Sequence, residues 1–193
     1  MIEFIVSCEF PTEIANFHLY AFKENLTNKE HLAIVLGTFD HNIPVLARIH
    51  CQCITGESLF SLRCDCRFQL TESLKKIAKK GFGIVFYLQQ EGRNIGLLNK
   101  IRAYKLQDEG LDTVEANHKL GFADDSRDYK IVSAMAKYLG INSIDLMTNN
   151  PRKIKALKES GLTVHKRIPI KSKTNKYNRN YLKTKAKKLG HLL

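Results

Sequence analysis

Short apolar runs and longer stretches of helical spacing alternate along the chain, and they predict the main elements. The segments 31–36 (HLAIVL) and 45–49 (VLARI) are bounded by turn residues and predict strands in a β-rich first part. The apolar run 83–88 and the segment 143–147 (SIDLM) predict two further strands, and a last strand begins at Thr163.

Helical spacing follows several of these strands. Leu70, Leu74 and Ile77 predict a helix that Asp65 caps and Gly81 ends. Further helices are predicted at about 95–108, at about 128–139, from the Asn150 cap to Gly161, and around 181–189. The pattern indicates an α/β fold, with a β-rich N-terminal part followed by alternating strands and helices around a mixed sheet.

Composition and charge indicate the domain organisation, the type of partner and the cellular location. The 193 residues suit a single domain over 1–170 with a basic C-terminal tail, 171–193. The net charge is +12, and the tail holds eight basic residues and no acid. This tail is either a solvated basic helix or a phosphate-binding segment, and composition leaves both open. With no apolar run long enough to span a bilayer and no signal peptide, the cytoplasm is the expected location.

Four cysteines lie within sixteen positions, at Cys51, Cys53, Cys64 and Cys66. In a chain without a secretory signal, such a cluster indicates metal binding before it indicates disulfides. Four thiolates would make a closed structural zinc site, whereas three would leave a position for a catalytic water. The spacing alone does not choose between these two arrangements.

Three polar loops fall where predicted strands end and helices begin, namely 89–94, 124–128 and 148–153. In α/β folds this is where ligands bind, and helix N-termini beside arginines favour phosphate. Each loop alone is equally compatible with an ordinary capped helix start and solvated charges. Their common placement favours an anion site.

The combined motifs resemble one enzyme family. They are PVLARIH at 44–50, TGE at 55–57, FSLRCDC at 60–66, QEGRNIGLLNKIRAY at 90–104, DTVEAN at 112–117, LGF at 120–122, TNNP at 148–151 and GHLL at 190–193. They resemble GTP cyclohydrolase II, the first enzyme of riboflavin biosynthesis, in its monofunctional form. The resemblance is nearly continuous from Pro44 onward and loose before it.

The resemblance implies a ligand set and a substrate site. It assigns one Zn²⁺ per subunit to Cys53, Cys64 and Cys66, and leaves Cys51 off the metal. It assigns GTP binding to Arg48, Ile49, His50, Cys51, Gln52, Gln69, Glu91, Gly92, Arg93, Thr113, Thr148 and Lys153. The chain departs from the family's usual residues at Gln52, at Arg67 and at 88–89.

The resemblance also implies a mechanism. Arg127 is the expected nucleophile on the α-phosphorus, Asp125 is its base, and Tyr104 assists ring opening and formate release. Because a protonated guanidinium lacks a lone pair, Arg127 as an electrostatic clamp is a competing hypothesis. Zinc lowers the pKa of a bound water, which then attacks carbon 8 of guanine, and Mg²⁺ is expected with the triphosphate.

The implied partner is GTP, in a homodimer without nucleic acid or membrane. Two other hypotheses remain at this stage. A zinc-stabilised nucleic-acid-binding protein would use four structural cysteines and the basic tail. A damaged homologue would release pyrophosphate without formate.

Overall fold

A computed structural model describes residues 2–40, 42–172 and 174–192, so that Lys173 and Leu193 of the predicted tail lie outside the described residues. The strands are β1 (Ile2–Pro11), β2 (Asn16–Glu24), β3 (Glu30–Leu36), β4 (Val45–Cys51), β5 (Gly83–Leu88), β6 (Ser143–Met147) and β7 (Thr163–Ile168). The helices are α1 (Ile54–Glu57), α2 (Cys66–Lys80), α3 (Glu91–Asn94), α4 (Leu97–Asp108), α5 (Thr113–Lys119), α6 (Lys130–Tyr138), α7 (Pro151–Glu159) and α8 (Arg179–Lys187).

Within these ranges the strands form one mixed sheet in the order β1-β2-β3-β5-β4-β6-β7. The first three strands and β5 pair antiparallel, whereas β5, β4, β6 and β7 run parallel. This arrangement confirms the predicted α/β class. Its consequence is that the carboxyl ends of four strands meet at one edge, where α/β proteins place their ligands.

The central strands of the sheet are covered on both faces, as parallel strands require. Alternate residues of β4 and β5 point to opposite sides, so Ala47 and Phe86 pack with α6 and α7. Leu46 and Val85 pack instead with Ile77 of α2. The two apolar clusters fix the central strands and therefore the loops that follow them.

Local sequence signals explain several helix ends. Gly81 ends α2 with a left-handed φ of 83°, and its N–H donates to carbonyls of the last turn. At the start of α7 the Asn150 side chain accepts from the Arg152 N–H, and proline occupies the first turn as predicted. Asp65 occupies the cap position of α2, yet its carboxylate makes no capping hydrogen bond and points toward α8 instead.

Some side chains of the basic tail are exposed to solvent and others are buried against the protein. Leu182, Lys185 and Leu189 are buried, while Lys183 and Lys187 are exposed. The solvated-helix interpretation therefore describes only one side of α8. No helix in the described part of the chain is long and apolar enough to cross a membrane.

Candidate active site

Two adjoining cavities open at the edge where β4, β5 and β6 end. One, the thiol compartment, is lined by residues that include Cys53, Cys64, Cys66, Glu91, Lys100, Tyr104 and Thr113. The other, the cationic compartment, is lined by residues that include Arg48, Cys51, Gln69, Thr148, Lys153, Lys185 and His191. Cys66, Arg93, Arg127 and Tyr181 line both, so the two compartments form one bipartite site.

Three thiols converge in the thiol compartment. The sulfurs of Cys53, Cys64 and Cys66 all lie within 4.8 Å of one another, and the Cys53–Cys64 pair is 3.7 Å apart. A tetrahedral ion with bonds of about 2.3 Å separates its sulfur ligands by about 3.8 Å, so this spacing fits such an ion. Gly56 leaves room for the cluster, because a Cβ there would lie 2.5 Å from the Cys64 sulfur.

The charges around the cluster also suit a cation. Hydrogen bonds from the Cys64 and Cys66 thiols, together with Lys100, lower the pKa of Cys53. The hydrogen bond to Cys53 and burial raise the pKa of Cys64 to about 11. These shifts favour negative charge at Cys53, beside the Lys100 ammonium, and metal binding would displace the protons of the other thiols.

Cys51 does not join this cluster. It ends β4 and lines the cationic compartment, where its sulfur influences the pKa of Arg127 and of Lys153. The described residues therefore bring together three of the four clustered thiols. This is the set that the resemblance implied, rather than the four-sulfur arrangement that spacing left open.

Lys100 and Tyr104 project from α4 into the thiol compartment. The Lys100 ammonium lies 3.1 Å from the Cys53 sulfur and 2.8 Å from a Glu91 carboxylate oxygen. Burial opposes its charge, but Cys53 and Glu91 outweigh burial and raise the pKa of Lys100. The Tyr104 hydroxyl is 3.3 Å from that of Thr55, and burial raises its pKa, so the phenol stays protonated at neutral pH.

The cationic compartment contains buried charges without carboxylate partners. Arg48 donates to the Met147 carbonyl oxygen at 2.8 Å and to the Gln69 amide oxygen, which leaves its Nε unpaired among the described residues. Lys153 donates to the Ile49 carbonyl oxygen at 2.8 Å. Burial lowers the pKa of Arg48, and burial together with Arg48 lowers the pKa of Lys153. Uncompensated buried cations are costly, so an anionic ligand is the expected occupant.

Asp125 and Arg127 form a bidentate ion pair between the two compartments. Arg127 donates through Nε and a terminal nitrogen to the two carboxylate oxygens, at 2.7 and 2.6 Å. Burial opposes the charge on Asp125, but Arg127 outweighs it and lowers the pKa of the carboxyl. The pKa of Arg127 is raised, because Tyr129 and Asp125 outweigh its burial. The guanidinium is therefore a fixed cation, rigidly oriented by a bidentate partner.

The loop after β5 carries backbone strain. Gly92, Arg93 and Asn94 all have φ between 62° and 76°, so α3 is partly a left-handed turn. Left-handed angles at two non-glycine residues are unfavourable and concentrate at functional sites. The turn directs Arg93 toward Asp124, whose carbonyl oxygen accepts at 3.1 Å, and leaves the other terminal nitrogen of Arg93 unpaired within the described ranges.

Most of the residues expected to bind GTP line a compartment. Glu91, Gly92, Arg93 and Thr113 line the thiol compartment, and Arg48, His50, Cys51, Gln69, Arg93, Thr148 and Lys153 line the cationic one. Ile49 and Gln52 line neither cavity within the described part of the chain. Ile49 is a core residue that contributes only its carbonyl, and the Gln52 N–H bonds to the Leu88 carbonyl oxygen.

The departures from the family pattern have local explanations at two positions. Arg67 places its guanidinium 4.0 Å from the centre of the Phe60 ring, a cation–π contact. Gln89 accepts the Glu30 N–H at 2.8 Å and donates its own N–H to His31, so it ties β5 to β3.

The sequence did not single out Lys100, Tyr181, Lys185 and His191 as lining residues, whereas the lining residue Asn149 lies in the predicted anion loop 148–153. Lys100 lies within a quoted motif, but no local pattern indicates its contact with Cys53. The tail residues come from a distant part of the chain, and the sequence indicated them only through the phosphate-binding interpretation of the basic tail and the terminal motif at 190–193.

The carboxyl edge of this α/β sheet joins a cluster of three thiols that could hold a metal ion to a pocket of buried cations, an arrangement typical of proteins that bind an anionic ligand beside a metal. The sequence pattern of the family described as GTP cyclohydrolase II matches residues 3–169. The chain belongs to the GTP cyclohydrolase II family.

Individual relatives agree with this assignment. GTP cyclohydrolase-2 of Azotobacter vinelandii is 55% identical over 192 residues, which cover 100% of this chain and 92% of the relative. GTP cyclohydrolase-2 of Shewanella sediminis is 53% identical, over 100% of this chain and 94% of the relative. The crystal structure of RibBX, a two-domain 3,4-dihydroxy-2-butanone 4-phosphate synthase from A. baumannii, matches with a TM-score of 0.52. At 18% identity, with 86% of this chain and 40% of that chain covered, this match supports the fold alone.

Proposed function

We propose that the protein hydrolyses GTP to formate, pyrophosphate and 2,5-diamino-6-(5-phospho-D-ribosylamino)pyrimidin-4(3H)-one, as the first step of riboflavin biosynthesis. The observation that carries the proposal is the bipartite site, in which Arg93 and Arg127 line both a three-thiol cluster and a pocket of buried cations. The reaction cleaves a ring at one end of the substrate and a phosphoanhydride at the other. Two adjoining compartments of different chemistry suit that pair of tasks.

Cys53, Cys64 and Cys66 would hold a zinc ion. Three soft thiolates at this spacing fit tetrahedral zinc and leave one position open, as catalytic zinc sites do. Zinc, when bound there, supplies Lewis acidity that lowers the pKa of water toward neutrality. Lys100 donates to Cys53 and to Glu91, so it fixes the orientation of one ligand and offsets part of the negative charge of three thiolates.

The cationic compartment would hold the triphosphate. Arg48, Arg93 and Lys153 have no carboxylate partner in the described residues and can direct their free donors at phosphate oxygens. Charge-assisted hydrogen bonds of this kind are stronger than hydrogen bonds between neutral groups, and the planar guanidinium of arginine matches the geometry of phosphate oxygens. Mg²⁺ would accompany the phosphates, since it binds substrate phosphates more readily than protein cages.

Arg127, which lines both compartments, would act at the α-phosphorus. Its bidentate contact with Asp125 and its raised pKa favour a fixed cation that stabilises charge developing on the phosphate. The covalent role implied by the family requires Asp125 to accept a proton from the guanidinium first. The same geometry serves either role, and the low pKa of Asp125 supports the clamp.

Tyr104 would assist the guanine end of the reaction. It lies in the thiol compartment and remains a protonated phenol, so it can donate a hydrogen bond or a proton there. Glu91, Gly92 and Thr113 line the same compartment and would surround the base.

The test incubates the protein with GTP, Zn²⁺ and Mg²⁺ and measures formate and pyrophosphate separately. We expect both products in equal amounts. Arg127→Ala should lower pyrophosphate release by roughly 100-fold or more, as for loss of one transition-state donor. The matched control is Arg102→Ala, which removes an exposed arginine of α4 that lines neither compartment.

Each failure has a distinct meaning. Fully metallated protein that yields no formate contradicts the proposal, and pyrophosphate alone indicates the damaged homologue. Salt-sensitive RNA or DNA binding without GTP turnover supports the nucleic-acid-binding alternative. The expected homodimer is tested on the same sample by light scattering after size exclusion.

A further inference from the structure

The end of the chain contributes directly to the cationic compartment. The tail segment, residues 174–192, supplies Tyr181, Lys185 and His191 to its lining. We propose that Lys185 and His191 bind the polyphosphate of the substrate, so that the tail segment completes the site. The identity of that polyphosphate as GTP rests on the proposed function, but the binding of a polyphosphate anion is tested independently below.

A buried ion pair fixes Lys185 at the site. Its ammonium lies 2.9 Å from an Asp65 carboxylate oxygen, and the two side chains are only 11% and 2% exposed. Asp65 stands between Cys64 and Cys66, so this contact attaches α8 to the loop of the thiol cluster. Asp65 also accepts hydrogen bonds from Gln69 and Ser172. Among the described residues the Lys185 ammonium donates to Asp65 alone and lies 4.4 Å from the centre of the Tyr181 ring, so it keeps N–H groups that a ligand can accept.

Backbone contacts fix His191 in the same way. Its N–H donates to the Lys185 carbonyl oxygen at 3.0 Å, and the next N–H, that of Leu192, donates to the Asn149 carbonyl oxygen at 2.8 Å. Leu189 is buried just before it. The end of the tail segment is therefore attached to the loop after β6, which itself lines the cationic compartment.

The charges that face His191 are cations from four elements or loops. Lys185, Arg127, Lys153 and Arg93 all act on its ring, and burial together with these charges lowers the pKa of His191 to about 3. Neither ring nitrogen makes a hydrogen bond to any described residue. A neutral imidazole with a free N–H, surrounded by cations, is suited to donate to an anion that those cations attract.

The cationic side chains of the compartment outnumber its carboxylate partners. Asp65 and Asp125 are each engaged, by Lys185 and by Arg127 respectively. Within the described residues, Arg48, Arg93 and Lys153 have no carboxylate in ion-pair contact. A polyphosphate can place several anionic oxygens among these groups, whereas a single carboxylate offers two.

The experiment measures binding of inorganic tripolyphosphate by titration calorimetry at fixed ionic strength, using zinc-loaded protein. The variants are Lys185→Met and His191→Ala. The matched control is Lys187→Met, which removes the same charge from the exposed side of the same helix. Zinc content and circular dichroism are measured for every variant, because loss of Lys185 leaves Asp65 unpaired. Lys185→Arg tests rescue by a conservative change.

We expect Kd for tripolyphosphate to rise about tenfold or more for Lys185→Met and for His191→Ala, as for loss of one hydrogen bond to a charged group. Lys187→Met should stay within twofold of the unchanged protein, and Lys185→Arg should recover part of the loss.

The inference is overturned when folded, zinc-loaded variants bind tripolyphosphate as tightly as the unchanged protein, or when the unchanged protein does not bind it. An equal loss in Lys187→Met also overturns it, because the effect would then be one of net charge. Should GTP not be turned over while the site variants still lose tripolyphosphate, the proposed function fails and the tail inference stands.

Discussion

The buried pair between Asp65 and Lys185 gives the sharpest stability prediction. At 2.9 Å, an effective dielectric of about 20 gives roughly 6 kcal/mol of gross attraction, much of which desolvation offsets. Removing one partner from a buried pair costs about 3–5 kcal/mol. Because Asp65 keeps donors from Gln69 and Ser172, we expect Lys185→Met to cost about 3 kcal/mol.

The assay is equilibrium unfolding in urea with zinc present, on Lys185→Met, Asp65→Asn and the double variant. In thermal unfolding of a chain of this length, a loss of about 3 kcal/mol in unfolding free energy corresponds to a fall in Tm of about 6–12 °C. The double-mutant cycle should give a coupling energy of about 2 kcal/mol or more. Lys187→Met is the control, with an expected change within about 0.5 kcal/mol.

Two results would refute this reasoning. A coupling energy under about 0.5 kcal/mol shows that the two charges do not depend on each other. A loss in Lys185→Met that the exposed control matches shows that burial is not the cause. Zinc content must be equal across the set, since Asp65 lies between two candidate ligands.

Three further predictions concern the metal, the reaction and pH. Cys51→Ser should retain zinc and Cys53→Ser should lose it, as measured by metal content per chain; the reverse result contradicts the three-thiol assignment. Tyr104→Phe should reduce formate release by roughly 100-fold while pyrophosphate is still formed, and equal loss of both products argues against its role at the guanine end. The pKa of the partly buried His191 is lowered to about 3, so between pH 6.5 and about 3 the unfolded chain binds a proton that the folded protein does not, and stability falls as the pH falls. His191→Gln should therefore reduce the loss of unfolding free energy between pH 7 and 5, by less than about 2 kcal/mol because the ring is partly exposed; a steeper loss in the variant contradicts this.

Elements with strong local signals were predictable from the sequence. The proline after Asn150 and the cap at Asn150 place the start of α7, and the short segment 143–147 between turn residues gives β6 its observed bounds. The weak case is β1, whose residues are mostly exposed at the edge of the sheet, so that no clean alternation marks it. The short α5 was not predicted, although the reciprocal capping box of Asp112 and Glu115 is visible in the sequence.

The ligand set illustrates why spacing alone could not decide. Cys51 and Cys53 are two residues apart and would share one face if the strand continued. The strand β4 ends at Cys51, and the backbone turns at Cys53 into α1 with φ −147° and ψ 78°. The two thiols therefore enter different compartments. This separation depends on where a strand stops, which is the least certain feature of any sequence-based prediction.

The basic tail shows that sequence patterns also fail to predict contacts between distant parts of the chain. On α8 the side chains of Tyr181 and Lys185 share a face, since they are four residues apart, while Lys183 and Lys187 share another. Lysine composition alone does not say which face is buried, because the partner of Lys185 is 120 residues away in the chain. Once that partner is known to be Asp65, between Cys64 and Cys66, a physical consequence follows. The loop that would hold the metal also positions the lysine that would bind phosphate. The Asp65–Lys185 ion pair therefore connects the loop of the thiol cluster to α8, which lines the cationic compartment.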